Sequence, residues 1–373
     1  MSVQLTRLQP TAVYVHIPFC PSKCGYCDFN SFAMSGDIVE RTARAIEAEI
    51  RRSPHAGTPA KTIFFGGGTP TFIPADSLLA ILQAVLEVHP PIEGCEITSE
   101  ANPGTVDSEK FKRMRIAGFN RLSIGAQSFH DDELLRLDRV HSAKETRSAV
   151  CAARDAGFEN INLDLMFALP EHTRSRWRSS LESAIELDPE HLSLYCLTLE
   201  PNTRFAKLAQ RGELMLPSED EQVTFFEDAA SIAEAAGYRQ YEISNYARPG
   251  FECRHNLCYW RCEEYIAYGP GAVQRVGNAR WTHIKHPVAY CDAVERGADL
   301  ACERETLSEA QLRLERIMLG IRTTEGLRAD DCDVNREGAA KCEAKGWIST
   351  EDGRIALTAM GRNFCNQVAL ELC

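Results

Sequence analysis

Cys20, Cys24 and Cys27 lie close together in His16-Ile-Pro-Phe-Cys20-Pro-Ser-Lys-Cys24-Gly-Tyr-Cys27-Asp-Phe29. Three thiolates on one tight loop can ligate three irons of a cubane iron–sulfur cluster, leaving the fourth iron open to an outside ligand. A structural zinc ion is the rival chemistry and needs four ligands. His16 is the nearby fourth candidate, and it is read as pointing along a strand rather than at the loop. Farther on, Phe65-Gly66-Gly67-Gly68-Thr69-Pro70 removes side chains where something could approach the backbone closely. It lacks the Lys-Ser or Lys-Thr of a phosphate P-loop, and taken alone it could be a flexible turn. Glu100, Gln127 and Asp164 stand at or just beyond the ends of later strand candidates, where polar residues converge on one rim.

The elements that must carry these residues follow a regular rhythm. Short β-branched or apolar runs are expected as strands at Ala12–Ile17, Thr62–Phe65, Cys95–Thr98, Arg121–Ile124, Asn160–Phe167 and His191–Leu197, alternating with helical patterns. Asp76 opens an apolar segment through Val88, and Ser142 with Glu145 forms a capping box for a helix ending before Gly157. Six βα units are too few to close an eight-stranded barrel, so the fold class is α/β, a partial (β/α)6 TIM-like barrel with its chemistry at the strand C-termini. The cysteine loop directly follows the first strand and so lies on that face. Ser218 with Glu221 caps a further helix, and Tyr241–Tyr246 is expected as an additional strand.

After Pro287 the pattern changes. Ser308 with Gln311 starts a helix, a second helix precedes Gly346, and Trp347–Leu357 reads as a hairpin around Asp352 and Gly353. That order resembles a winged helix, read here as a docking module rather than a DNA reader. The expected division is 1–240 for the barrel, 241–290 for a connecting segment and 291–373 for a smaller C-terminal domain.

Composition bounds the function. The 373 residues carry 41 basic and 53 acidic side chains, a net charge of -12 that would repel a phosphate backbone, so no nucleic-acid partner is expected. No uninterrupted apolar run approaches the length of a membrane span, and MSVQLTRLQP lacks a secretory h-region. A cytoplasmic location is therefore expected, where 15 cysteines point to metal or redox chemistry rather than disulfides.

The segments YVHIPFCPSKCGYCDF, FFGGGTPT, SEANPGTV, RLSIGAQSF, DRVH and NLDLMFALP, from about residue 11 onward, resemble the radical S-adenosylmethionine (SAM) enzymes. Within that superfamily the likeness is to the coproporphyrinogen III oxidase-like (HemN/HemW) family and runs beyond residue 360. It implies that Cys20, Cys24 and Cys27 hold a 4Fe-4S cluster whose open iron is chelated by SAM. It further implies SAM contacts from Tyr14, Tyr26, Gly67, Gly68, Thr69, Glu100, Gln127, Arg139 and Asp164. Physically, the glycine loop and Glu100 suit an ammonium group, and Asp164 suits ribose hydroxyls.

Porphyrinogen dehydrogenases of this family typically carry a fourth cysteine two residues after the third, and a longer N-terminal extension. Phe29 holds that position here and the first strand begins almost at once, which argues against dehydrogenase activity. His255-Asn256-Leu257-Cys258-Tyr259-Trp260 matches the HNxxYW motif of the haem-chaperone branch. An imidazole beside flat aromatic rings could bind haem iron and macrocycle, though buried aromatics more often serve packing. The resemblance thus implies 4Fe-4S, SAM and haem as cofactors, His255 as a candidate haem ligand, and acceptor haemoproteins, some at the membrane, as partners. A homodimer stays open. The rivals are a porphyrinogen dehydrogenase or haem-modifying enzyme, and a zinc-binding adaptor. Cys253, Cys258 and Cys262 are close enough in sequence for a second metal site. Ala168, Ala267 and Val273 depart from the family's glycine, glycine and histidine.

Overall fold

The computed structural model of the chain describes residues 9–329 and 333–373. Six parallel strands follow one another in both sequence and space: β1 (Thr11–Ile17), β2 (Ala60–Gly67), β3 (Pro91–Ala101), β4 (Arg121–Gln127), β5 (Ile161–Phe167) and β6 (His191–Cys196). The helices that return the chain between them are α1 (Asp37–Arg51), α2 (Ala75–Val88), α3 (Ser108–Ala117), α4 (Asp131–Arg136) with α5 (Ala143–Asp155), and α6 (Arg174–Ile185). After β6 come α7 (Arg204–Gln210) and α8 (Glu219–Ala235). The expected capping boxes at Ser142 and Ser218 are both formed.

Strand alternation sorts the residues into two layers. Val13, Val15, Ile63, Phe65, Leu163 and Leu165 join the main hydrophobic core. Their sequence neighbours form a polar layer on the other face, where Thr62, Glu96, Arg121, Ser123, Asn162 and His191 are all buried. The polar layer is knit together: the Asn162 amide donates to Asp164 (2.7 Å) and Ser123 (2.6 Å), and His191 bridges Asn162 and Tyr241 at 2.6 and 2.8 Å.

The sheet extends beyond the six expected strands. On one side β6 pairs antiparallel with β8 (Asn245–Ala247), which pairs with β7 (Arg239–Gln240). The expected strand at Tyr241–Tyr246 is therefore mostly a turn. The Glu242 carboxylate accepts from the Ser244 amide at 2.8 Å and from the Asn245 side chain, folding the chain back between two shorter strands.

On the other side, a seventh parallel strand, β9 (Tyr265–Tyr268), lies against β1. It leads into antiparallel β10 (Val273–Val276), β11 (Ala279–His283) and β12 (Ala301–Thr306). Between these strands lie α9 (Arg254–Trp260) after β8 and α10 (Pro287–Arg296) after β11. The sheet thus runs past residues 240 and 290 to Thr306. Its terminal strands β7 and β12 are not neighbours, so the barrel is open.

A separate core forms around Ile317, Ile321, Leu327, Ile348, Ile355 and Val368. It belongs to α11 (Glu309–Gly320), β13 (Leu327–Arg328), α12 (Arg336–Ala344), β14 (Ile348–Glu351), β15 (Arg354–Leu357), α13 (Ala359–Arg362) and α14 (Cys365–Leu372). The hairpin forms as expected, with β15 between β13 and β14. The order helix, strand, helix, hairpin (α11, β13, α12, β14, β15) is winged-helix-like.

Candidate functional site

The cysteine loop leaves β1 at its C-terminal end and is fastened at both ends by main-chain bonds. The Cys20 amide donates to Phe32 O (3.1 Å), and the Phe32 amide to Pro18 O (2.7 Å). Lys23 folds back over the loop, donating to Phe29 O at 2.6 Å and to Ser31 Oγ at 3.0 Å.

The glycine run explains itself sterically. A Cβ on Gly68 would sit 2.6 Å from Phe19 O, and one on Gly67, whose φ is +108°, would fall 2.3 Å from the His16 ring. Only glycines let β2 close on the cysteine loop, and the Gly68 and Thr69 amides then donate to Ile17 O and Phe19 O. Part of the close approach expected at this motif is thus made by the chain's own backbone. Gly25 has the same role, since its Cβ would meet the Phe205 ring at 2.4 Å.

Above the strand ends lies a cavity of about 420 Å³, within the range of small-molecule sites. Cys20, Cys24 and Cys27 line it, together with Tyr26, Gly67, Gly68, Thr69, Glu100, Gln127, Arg139 and Asp164. Thr69 Oγ1 lies 3.5 Å from Cys20 Sγ, and Arg139 Nη1 lies 3.8 Å from Cys24 Sγ. Arg139 is anchored by Gly125 O at 2.9 Å, while its buried Nε has no hydrogen-bond partner among the described residues. Burial pushes the Cys20 and Cys27 thiols up.

Two carboxyl groups share the cavity. Burial and the neighbouring Asp164 charge push Glu100 up to about 8, while its bond from the Gly67 amide, at 3.1 Å, acts the other way. Asp164 is also raised by burial, opposed by bonds from Asn162, Ser193 and Ser123. Two buried carboxyl groups in one cavity have lost the water that would solvate their charged forms, which a cationic or hydrogen-bond-donating guest could replace.

Tyr14 and His255 are not brought to the cavity wall. The Tyr14 hydroxyl is 2.9 Å from His16 Nδ1, and His16 Nε2 is 2.9 Å from Asn30 O. Both His16 nitrogens are thus occupied, so the fourth ligand considered for zinc is spoken for. Among the described residues no three His, Cys, Asp or Glu side chains converge at the spacing of one metal ion. Thiolates that each take a different iron stand farther apart than those around a single ion.

His255 lies in α9, 1% exposed. Its Nδ1 is 2.8 Å from Thr62 Oγ1 and its Nε2 2.9 Å from the Tyr259 hydroxyl. Burial pushes it down to about 3, so the ring is neutral. Cys253, Cys258 and Cys262 point to three different partners: Glu96 Oε1 (3.7 Å), Arg254 O (3.2 Å) and the Arg275 side chain.

Sequence reading missed the far wall, where Met166, Tyr195, Cys196, Thr198 and Glu200 complete the cavity beyond β5 and β6. Their signal was position alone, at strand ends facing the same rim. Phe29 and Val140, 65% and 53% exposed, form an apolar lip. Of the departures from the family pattern, Ala168 adopts the left-handed region at φ +57°, where glycine is freer. Ala267 sits in β9 opposite Tyr14, and Val273 in β10 opposite Thr282.

Comparison with known proteins accords with this geometry. The Radical SAM superfamily model matches residues 14–184. The chain is 38% identical over 370 residues to Heme chaperone HemW of Bacillus subtilis, covering 96% of this chain and 97% of the relative. It is 36% identical over 377 residues to Heme chaperone HemW of Escherichia coli, covering 95% and 98%. A bovine relative, Radical S-adenosyl methionine domain-containing protein 1, mitochondrial, is 34% identical over 330 residues, covering 86% of this chain and 74% of the relative. Among solved structures, coproporphyrinogen III oxidase (HemN) from Escherichia coli superposes with a TM-score of 0.84. It is 23% identical, and the match covers 97% of this chain and 90% of that one, a likeness of fold. The chain belongs to the radical SAM superfamily and, within it, to the coproporphyrinogen III oxidase-like family that includes the HemW haem chaperones.

Proposed function

We propose that this protein is a haem chaperone built on a radical SAM scaffold, binding a 4Fe-4S cluster, SAM and haem and delivering haem to acceptor haemoproteins, including respiratory proteins at the membrane. The observation that carries this reading is the likeness, over nearly the whole length of both chains, to proteins named haem chaperones.

The donor set fits the two cofactors that the superfamily implies. Cys20, Cys24 and Cys27 would hold the cluster, with Thr69 and Arg139 placed to donate toward Cys20 and Cys24. Glu100 would take the ammonium end of SAM and Asp164 its ribose hydroxyls, with Tyr26, Gly67, Gly68, Thr69, Gln127 and Arg139 completing the wall. Bound together, cluster and SAM supply one-electron chemistry that belongs to the cofactors. The chain's part is to seat the loop, order the carboxylates and limit access through the apolar lip. Phe29 at the position of the dehydrogenases' fourth cysteine favours carriage over porphyrinogen oxidation. Among the described residues no helix is long and apolar enough to cross a membrane.

The test is haem transfer. Protein reconstituted anaerobically with iron and sulfide, then loaded with haem, should convert an apo-haemoprotein to its holo form. Turnover of coproporphyrinogen III with SAM and reductant, without haem transfer, would replace this reading with an enzymatic one.

A further inference from the structure

The Asp164 carboxylate lines the cavity, and the polar layer of the sheet holds it from the inside. Two residues earlier on the same face of β5, Asn162 lies level with Ser123 of β4 and His191 of β6. One Asn162 N–H donates to Asp164 Oδ1 at 2.7 Å and the other to Ser123 Oγ at 2.6 Å. Ser123 in turn donates to Asp164 Oδ2 at 3.2 Å. Both carboxylate oxygens are therefore gripped, and the plane of the group is set.

Only one orientation of the Asn162 amide can do this, because the reverse would turn its oxygen toward a carboxylate. His191 selects that orientation. Its Nδ1 is 2.6 Å from Asn162 Oδ1, an atom that only accepts, so Nδ1 carries the hydrogen. Ser193 Oγ adds a second bond to the same oxygen at 3.1 Å. Burial, and after it the charge of buried Arg121, pushes His191 well down, so the ring is neutral. Its bare Nε2 then accepts from the Tyr241 hydroxyl at 2.8 Å, and that hydroxyl accepts from the Cys253 amide at 3.3 Å. Donors thus run one way, from Cys253 through Tyr241, His191 and Asn162 to Asp164. Asn162, His191 and Tyr241 are buried and do not themselves line the cavity. A layer needed for stability alone could be apolar, whereas this one is polar throughout and ends on the cavity's own carboxylate.

We propose that Asn162 and His191 are positioning residues for SAM, holding Asp164 as a pre-oriented acceptor for the ribose hydroxyls, with Tyr241 fixing the His191 tautomer. The inference rests on the reading of Asp164 as the ribose contact and adds the groups that order it. Pre-orientation matters here because a carboxylate already fixed in place loses little freedom when the guest arrives.

The test uses the full-length chain reconstituted anaerobically with iron and sulfide, titrated calorimetrically with SAM and with SAM analogues lacking one or the other ribose hydroxyl. His191→Gln puts its amide where Nε2 stood and leaves Asn162 Oδ1 without the imidazole donor, whereas His191→Asn keeps an N–H where Nδ1 stood. His191→Gln should weaken SAM binding about tenfold, and Asn162→Leu at least as much. The analogue without the contacted hydroxyl should change less than about twofold, so the preference for SAM over it collapses. His191→Asn should restore most of that preference. Tyr241→Phe, which keeps the ring and frees the tautomer, should reduce it about threefold. Nitrogen NMR of the unmodified protein with labelled histidine should show His191 as the neutral Nδ1–H tautomer, its signal assigned by loss in either histidine variant. Equal losses for SAM and both analogues, no preference for SAM over either analogue in the unmodified chain, or an Nε2–H tautomer overturns the positioning role while the carrier reading stands. If the unmodified chain binds no SAM at all, the SAM reading itself fails.

Discussion

Glu100 gives the sharpest test of the cavity. Burial and the Asp164 charge raise its carboxyl to about 8, so at pH 7 only about one molecule in eleven carries the anion. If Glu100 receives the ammonium end of SAM, binding draws on that ionised fraction, and the apparent affinity is reduced accordingly. Between pH 6.0 and 7.5 the Kd for SAM should therefore fall about 25-fold, approaching tenfold per unit at the acid end. Glu100→Gln should bind SAM more weakly and lose most of this slope.

The same shift has an opposite signature in stability. Because the folded-state value lies above the ordinary 4.5, the folded chain keeps a proton that the unfolded chain has released between about pH 4.5 and 8. Stability from this group therefore falls as pH rises through that window, by at most about 1.4 kcal/mol per unit. Without SAM, Glu100→Gln should melt higher than the unmodified protein at pH 8 and no higher at pH 4.5. Calorimetric SAM titrations across the pH series and thermal melts without ligand measure both effects. A flat SAM affinity between pH 6.0 and 7.5, or a full slope retained in Glu100→Gln, would refute this placement of the charge.

Gly68→Ala should push the cysteine loop off β2, because its Cβ would meet backbone at 2.6 Å. A loss of about 1–3 kcal/mol is expected, with a lower iron and sulfide content after anaerobic reconstitution. Ser218→Ala removes the cap of α8 and should cost about 1 kcal/mol in denaturant unfolding, with SAM binding unchanged. Oxidative removal of the cluster with a chelator should bleach its absorbance and leave the far-ultraviolet dichroism intact, since the main core is built mostly from strand and helix residues and does not include the three cysteines. Substantial loss of secondary structure would show that the cluster also holds the fold.

Part of the candidate site could be read from local rules. Cys20, Cys24 and Cys27 fall within one loop, and Glu100, Gln127 and Asp164 stand at strand ends, where a parallel α/β fold collects its chemistry; Tyr26, Gly67, Gly68, Thr69 and Arg139 were named as contacts only by the family resemblance, and all of these residues line one cavity. The capping boxes at Ser142, Ser218 and Ser308 depend on residues only three apart and formed as read. Strand positions were equally plain wherever the strand was buried on both faces, as in β1 and β5.

What sequence spacing could not give were contacts between residues far apart in the chain. Tyr265–Tyr268 becomes a seventh parallel strand because the edge of β1 is free to pair with it, and Tyr241–Tyr246 turns because Glu242 binds its own neighbours. His255 reads as an open imidazole beside aromatic rings, yet Thr62, some 193 positions away, takes one of its nitrogens and Phe64 covers its face. Residue types and spacing fixed which chemistry this chain could hold. Only the tertiary structure decided which of those groups face a cavity and which are locked behind another element, because burial and hydrogen-bond partners arise between segments that are distant in sequence.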